Sequence, residues 1–352
     1  MTGGSSPAPQ CADSPEAPGT AAPADPVQPF TFDGTGGAYF RIWIVNTLLS
    51  LLTLGIYSAW AKVRRKQFFY RHTRLAGSAF AYLADPVKIL KGRLIVFASF
   101  FIYSAVQKVF PPAGLAVGLA LVLLLPWFVV RSLAFNARYS AWRQIRFQFR
   151  GTYRAAAAAY LLWPLLALAT LGLLFPYAYY RQRRFLVENW ALGTTGFAFH
   201  ARARDYYRIF GGFLLAPLAA GLAAGAVVWL APAAALPAVV LAGALTYLYA
   251  LAYFSVSAGN LLFNASTLDG LRFGAAMKVW PYAGIVFTNT LALVATLGLF
   301  HPFARVRAYR YRIDHLVLRG AGGLDAFVAA ETAEASALGD ELSDFLDFDL
   351  GL

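Results

Sequence analysis

Two asparagines, Asn46 and Asn289, stand inside long apolar runs. A side-chain amide in that setting either bonds a neighbouring helix, the blander reading, or contacts a polar substrate or ion. A Thr-Leu-Gly step follows each, Thr53 to Gly55 and Thr296 to Gly298, and a third occurs at Thr170 to Gly172, where Trp163 replaces the asparagine. Such a step breaks a helix and bares carbonyls to a ligand, or lets two helices pack closely on small residues. Beyond the steps the chain turns basic and aromatic: Lys62, Arg64 and Arg65 after Trp60, Arg181, Arg183 and Arg184 among Tyr177 to Tyr180, and Arg305 and Arg307 after Phe303. Aromatic belts with snorkelling cations account for the pattern. The sharper alternative is a set of contacts to anionic lipid or phosphate.

Other chemistry is thin. His72 and His315 occupy matching places, but with only His200 and His301 besides and no carboxylate at ligand spacing, neither a metal nor a cofactor is expected. Walker A, dinucleotide-fingerprint, His-Glu-x-x-His and Gly-x-Ser-x-Gly patterns are absent, so no catalytic residue is assigned and no enzyme is expected.

The elements that would position these groups are apolar. Of 352 residues 59% are hydrophobic and 13% charged, too apolar a mixture for a soluble domain. The net charge of +13 is unevenly spread: all 30 Lys and Arg lie between Arg41 and Arg319, with only Asp85, Glu188, Asp205, Asp269 and Asp314 among them. Cations in loops beside apolar runs suit lipid headgroups better than nucleic acid, so the expected partners are membrane lipids, anionic ones above all. A homo-oligomer is compatible with the sequence. The single cysteine, Cys11, allows no disulfide framework.

Seven apolar segments, about 39 to 61, 94 to 110, 113 to 131, 155 to 178, 209 to 231, 234 to 256 and 281 to 304, have the length a helix needs to cross hydrocarbon. Prolines at 111, 112, 232 and 237 leave short connections, so 94–131 and 209–256 read as tight helical hairpins. The remaining three resemble one another. An offset of 243 carries Asn46-Thr47-Leu48 and Thr53-Leu54-Gly55 onto Asn289-Thr290-Leu291 and Thr296-Leu297-Gly298, and an offset of 117 carries Phe32, Gly34 and Thr35 onto Phe149, Gly151 and Thr152. We read a threefold repeat with copies about 30–82, 147–199 and 268–320. Alternating runs at 30–32, 77–82, 147–149 and 196–199 allow short strands at the membrane surface.

Those observations predict an all-α membrane protein, a polytopic helical bundle at 30–320 with a threefold internal repeat, between a disordered Pro/Ala-rich leader (1–29) and an acidic tail (321–352). Two topologies stand open. Seven plain spans would place the cations between Arg181 and Arg208 outside, whereas four spans with three re-entrant segments place 29 of the 30 basic residues, and both termini, in the cytoplasm. The acids Glu334, Asp340, Glu341, Asp344, Asp347 and Asp349 alternate with Leu338, Leu342, Phe345 and Leu346 at helical spacing, which suits docking on a basic surface as well as a solvated tail.

With Thr-Leu-Gly-Ile-Tyr-Ser-Ala-Trp-Ala-Lys-Val-Arg-Arg at 53–65, Phe32-Asp33-Gly34 ahead and Gly77 behind, the chain resembles the YjgN family of bacterial inner-membrane proteins over about residues 30 to 320. The resemblance implies a multi-pass inner-membrane protein; the family's function is unknown, so it carries over no site residue. The expected function is permeation or transport of a small solute. The alternative is a structural or lipid-organising scaffold with a basic cytoplasmic face and an acidic partner-binding tail.

Overall fold

A computed structural model of the chain describes residues 26–230 and 232–334. Most of the leader, with Cys11, and the acids and apolar residues of the tail beyond Glu334 lie outside the described residues.

Five βααβ units follow one another along the chain. The first comprises β1 (Gln28–Phe32), α1 (Gly36–Leu52), α2 (Ser58–Arg71) and β2 (Thr73–Leu75); the second β3 (Ser78–Tyr82), α3 (Pro86–Val109), α4 (Pro111–Arg138) and β4 (Ser140–Trp142). In the third, β5 (Ile145–Phe149) leads into α5 (Tyr153–Ala157), a π-helical turn (Ala158–Leu162) and α6 (Trp163–Ala169), then α7 (Phe175–Glu188) and β6 (Trp190–Leu192). The fourth has β7 (Thr195–Phe199), α8 (Ala203–Leu230), α9 (Pro232–Asn264) and β8 (Ser266–Leu268); the fifth β9 (Leu271–Ala275), α10 (Val279–Ala295), α11 (His301–Asp314) and β10 (Leu316–Arg319).

All ten strands join, antiparallel, into one closed barrel in which β10 pairs with β1. The all-α expectation is therefore wrong: the short strands allowed for at the surface form a complete β layer. Closure explains how strands of three to five residues persist, because it leaves no edge unpaired. Two-residue turns with both φ values positive link neighbouring units at Ala76-Gly77, Arg143-Gln144 and Asp269-Gly270, the backbone that matches strand twist. Inside the barrel one Phe from each unit's first strand opposes a large residue of its last: Phe30 and Leu75, Phe80 and Trp142, Phe147 and Leu192, Phe197 and Leu268, Phe273 and Leu318. These five pairs make the barrel core.

Residues 324–334 form a helix that packs Leu324, Phe327 and Val328 onto this core. Arg143 in the β4–β5 turn donates to Asp325 at 2.5 Å, and the carboxylate of Glu331, 3% exposed, accepts from the backbone N–H and hydroxyl groups of Thr194 and Thr195 beside the β6–β7 turn. The start of the acidic tail is thus a plug over the barrel.

Among the described residues, four helices are long and apolar enough to cross a membrane: Pro86–Val109, Pro111–Arg138, Ala203–Leu230 and Leu236–Asn264. They belong to the second and fourth units, and they expose many large apolar residues, among them Phe97, Phe101, Leu119, Leu222 and Leu241. Units one, three and five carry shorter hairpins, and the sequence matches at offsets of 117 and 243 fall on these. Because every hairpin begins and ends in the same barrel, the connections at 72–85 and 189–202 lie at the barrel end of the helices. Each apolar segment taken as a single stretch at 39–61, 155–178 and 281–304 is in the structure a helical hairpin that returns to the barrel.

The three Thr-Leu-Gly steps share one backbone. Leu54, Leu171 and Leu297 have φ of 48°, 52° and 49°, and Gly55, Gly172 and Gly298 have 91°, 90° and 91°. Each glycine N–H reaches a carbonyl five residues back at 2.7 Å, closing the first helix. Each threonine hydroxyl donates to a carbonyl four residues back and accepts the N–H four residues on, opening the second. A Cβ on any of the three glycines would meet nothing within 4 Å, so close packing is not their role; positive φ is. Gly298→Ala is expected to lower unfolding free energy in detergent micelles by about 1–2 kcal/mol, the cost of a left-handed non-glycine residue. Gly284→Ala, in open space on α10, is expected to show no such loss.

Candidate functional site

A cavity of about 610 Å³ opens where the first unit's short hairpin meets its neighbours. From α1 come Tyr39, Trp43, Asn46 and Thr47, from the hairpin tip Leu54, Gly55 and Ser58, from α2 Lys62 and Arg65, from α3 Arg93, and from α11 His301 and Arg305. Among the described residues no carboxylate lines it.

The cations lie at a common level. At about 1.5 Å per helical residue, Arg93 stands about 10 Å beyond the barrel end of α3, Lys62 and Arg305 about 14 Å beyond theirs, and Arg65 about 9 Å. Past that level α3 has no charged residue from Leu94 to Gln107, and α8 none from Ile209 to Leu230. The cavity therefore sits where charge stops and the apolar surface of the long helices begins.

Crowding of like charge shows in the protonation of groups on α2 and α11, neither of which is a membrane-length helix. Burial, with Arg93 and Arg65 nearby, pushes Lys62 below its ordinary pKa. Burial, with Lys62 and Arg65, lowers Lys66 to about 8, although it donates to Asn136 Oδ1 at 2.5 Å and stands 4.5 Å from the Tyr82 ring centre. His301 is pushed down by burial and by Arg305 and Arg65. A half-buried cluster of cations with no carboxylate among the described lining residues favours an incoming anion.

Asn46 sharpens this. In the fifth unit its counterpart Asn289 is fully used: Nδ2 donates to Ala304 O at 3.2 Å and Oδ1 accepts from Arg307 Nη1 at 2.9 Å. In the first unit the residue equivalent to Arg307 is Arg64, which stands 5.8 Å from the Tyr57 ring centre, where the fifth unit has Phe300. Asn46 is 6% exposed and its Oδ1 has no hydrogen-bond partner. One unit thus spends its asparagine on its own hairpin while the other leaves it facing the cavity.

Of the residues singled out in the sequence, the structure brings Asn46, Gly55, Lys62, Arg65 and Arg305 to the cavity. Asn289 and Arg307 bind each other. Thr53, Thr170 and Thr296, with Gly172 and Gly298, serve hairpin turns. Arg64 pairs with Tyr57; Arg181 stands 5.5 Å from the Trp163 ring centre; Arg184 bonds Glu188 at 2.8 Å; Arg183 bonds Tyr179 at 2.6 Å. His72 and His315 each place Nδ1 2.7 Å from a carbonyl four residues back, at helix ends. Sequence reasoning missed Arg93, which holds the Ser58 hydroxyl at the hairpin tip, and His301; Arg93 lies on a neighbouring unit and outside the repeated motif.

A ring of βααβ units with helices of membrane length and a basic cavity at their barrel end defines a class of membrane-associated protein. Within it, the chain belongs to the family described as bacterial protein of unknown function (DUF898), whose profile matches residues 27–345. It is 30% identical over 151 residues, 43% of this chain and 38% of the relative, to "Inner membrane protein YjgN" of Escherichia coli O157:H7. Against "Inner membrane protein YjgN" of Salmonella typhimurium (strain LT2) it is 32% identical over 126 residues, 36% of this chain and 32% of the relative. The matched region thus spans less than two fifths of the length of these curated relatives. No solved structure matches the chain.

Proposed function

We propose that the protein is a lipid-organising component of the bacterial inner membrane which binds the headgroup phosphate of anionic phospholipid in the cavity between α1, α2, α3 and α11. The supporting observation is a cavity at the inner end of the long apolar helix surface, lined by Lys62, Arg65, Arg93 and Arg305 with no carboxylate among the described lining residues. Arg and Lys donate to phosphate oxygens, and the Asn46 amide adds an acceptor for a headgroup hydroxyl or, turned over, a further donor. In this reading the long hairpins cross the bilayer, the three related short ones dip into one leaflet by their exposed Leu54, Leu171 and Leu297 tips, and the barrel lies on the basic, cytoplasmic side. The reading is one of binding without chemistry. Solute permeation has less support, since Asn46 and Asn289 share no cavity and Asn289 is already paired.

The test reconstitutes the full chain into phosphatidylcholine nanodiscs with and without phosphatidylglycerol and measures retained lipid by native mass spectrometry. Arg65→Gln with Arg305→Gln is expected to weaken phosphatidylglycerol retention about thirtyfold, at about 1 kcal/mol per cation. Arg319→Gln, at the barrel, is expected to leave it unchanged. Equal retention of both lipids by the unaltered protein would overturn the reading.

A further inference from the structure

A second cavity, of about 480 Å³, occupies the barrel lumen. Its size falls in the range of about 300–1,000 Å³ typical of small-molecule sites. The five Phe and their cross-strand partners form its wall, and Leu324 and Phe327 of the plug close one end. The other end reaches Leu133 of α4, Leu186 and Val187 of α7, and Leu262 and Phe263 of α9. Two of those helices, α4 and α9, are of membrane length.

The lining is too apolar to order water, since a buried water needs two to four polar partners. Ser266 gives its hydroxyl to Leu262 O at 2.6 Å, and the buried indole N–H of Trp142 has no acceptor. Protein interiors carry few voids larger than a water molecule, so a dry lumen of this volume calls for an apolar occupant. Among the described residues a single cation lines it: Arg183 on α7, which gives one N–H to Tyr179 Oη and stands 4.6 Å from that ring's centre. No described carboxylate lines the lumen, and a guanidinium has five N–H donors, so most remain for an anion.

We propose that the barrel lumen is a binding site for a long-chain carboxylate: the acyl chain lies among the Phe and Leu side chains and the carboxylate pairs with Arg183. The site is separate from the phospholipid cavity and does not depend on it.

Equilibrium binding of tritiated palmitic acid and of palmityl alcohol to the full chain in phosphatidylcholine nanodiscs tests this. Palmitate is expected to bind saturably. Leu268→Trp, which fills the lumen, should abolish that binding, and Arg183→Gln should weaken palmitate at least about tenfold, the worth of one charge-assisted hydrogen bond, while sparing the alcohol. The Arg65→Gln, Arg305→Gln double variant should bind palmitate as the unaltered protein does, which separates failure of this site from failure of the headgroup site. Non-saturable palmitate binding, or equal loss of acid and alcohol in Arg183→Gln, would sink the proposal. Should Leu268→Trp not fold, the Arg183→Gln comparison decides alone.

Discussion

Replacing Trp142 by alanine is expected to lower unfolding free energy by about 4 kcal/mol, toward the upper end for truncating a buried aromatic. The side chain is 2% exposed and faces Phe80 across the β3–β4 ladder and Ile145 across the β4–β5 turn. Collapse around the deletion is blocked on every side. The strands are held in register by both neighbours in a closed barrel, and the space beyond is already open lumen, so the void is added to one that exists. Trp142→Phe keeps most of the volume and also removes the unpartnered indole N–H, so it should cost less than about 1.5 kcal/mol, as volume-conserving swaps do. Denaturant titration of the protein in detergent micelles measures both. A similar small loss for the two variants would mean that the barrel core is not what limits unfolding.

Trp142 also shows where sequence reading fell short. It ends β4, a strand of three residues, and β2, β6 and β8 are equally short; three residues cannot display an alternation that separates strand from helix end. The runs that do alternate, at 30–32, 77–82, 147–149 and 196–199, coincide with β1, β3, β5 and β7, the first strands of four units. What turns fragments into a barrel is the long-range pairing of β10 with β1, on which local pattern is silent. Asp269-Gly270, with both φ values positive, is a local hairpin signal, but by itself it says nothing of the closure that makes a barrel.

Three of the five units were visible because their hairpins turn on Thr-Leu-Gly, a step needing a glycine at φ near 90°. The other two turn at prolines and lack the Thr-Leu-Gly step; what they share with the first three is the Phe of the first strand, Phe80 and Phe197. The candidate site was legible to a similar depth. Asn46, Lys62, Arg65 and Arg305 stand out as polar groups at the ends of apolar runs, but Arg93 joins them only because α3 packs beside α2 in the ring. Nor could spacing tell that Asn289 is spent and Asn46 is not; that difference rests on Tyr57 drawing Arg64 aside.

The plug offers the other large effect. Glu331→Gln is expected to cost the plug about 3 kcal/mol, because the carboxylate accepts from Thr194 N at 2.7 Å and Thr195 N at 3.0 Å and the amide would turn an NH₂ toward one of those donors. No room exists to rearrange: Gly193, at φ 63°, lies so near that a Cβ there would overlap the carboxylate. Hydrogen exchange of residues 324–334 should then quicken about a hundredfold while the barrel strands keep their protection, since local opening has its own free energy. Burial alone would raise the Glu331 pKa, but hydrogen bonds from Thr195 and Thr194 outweigh it and hold the group below the ordinary carboxylate value. A depressed folded value means that the carboxylate's contribution is complete above the unfolded pKa of about 4.3 and is lost as pH falls through the folded one. Exchange corrected for its intrinsic pH dependence should therefore be flat above about pH 5 and accelerate below about pH 4 in the unaltered protein, and show no such step in Glu331→Gln. An identical acid step in both would overturn the assignment of that step to Glu331.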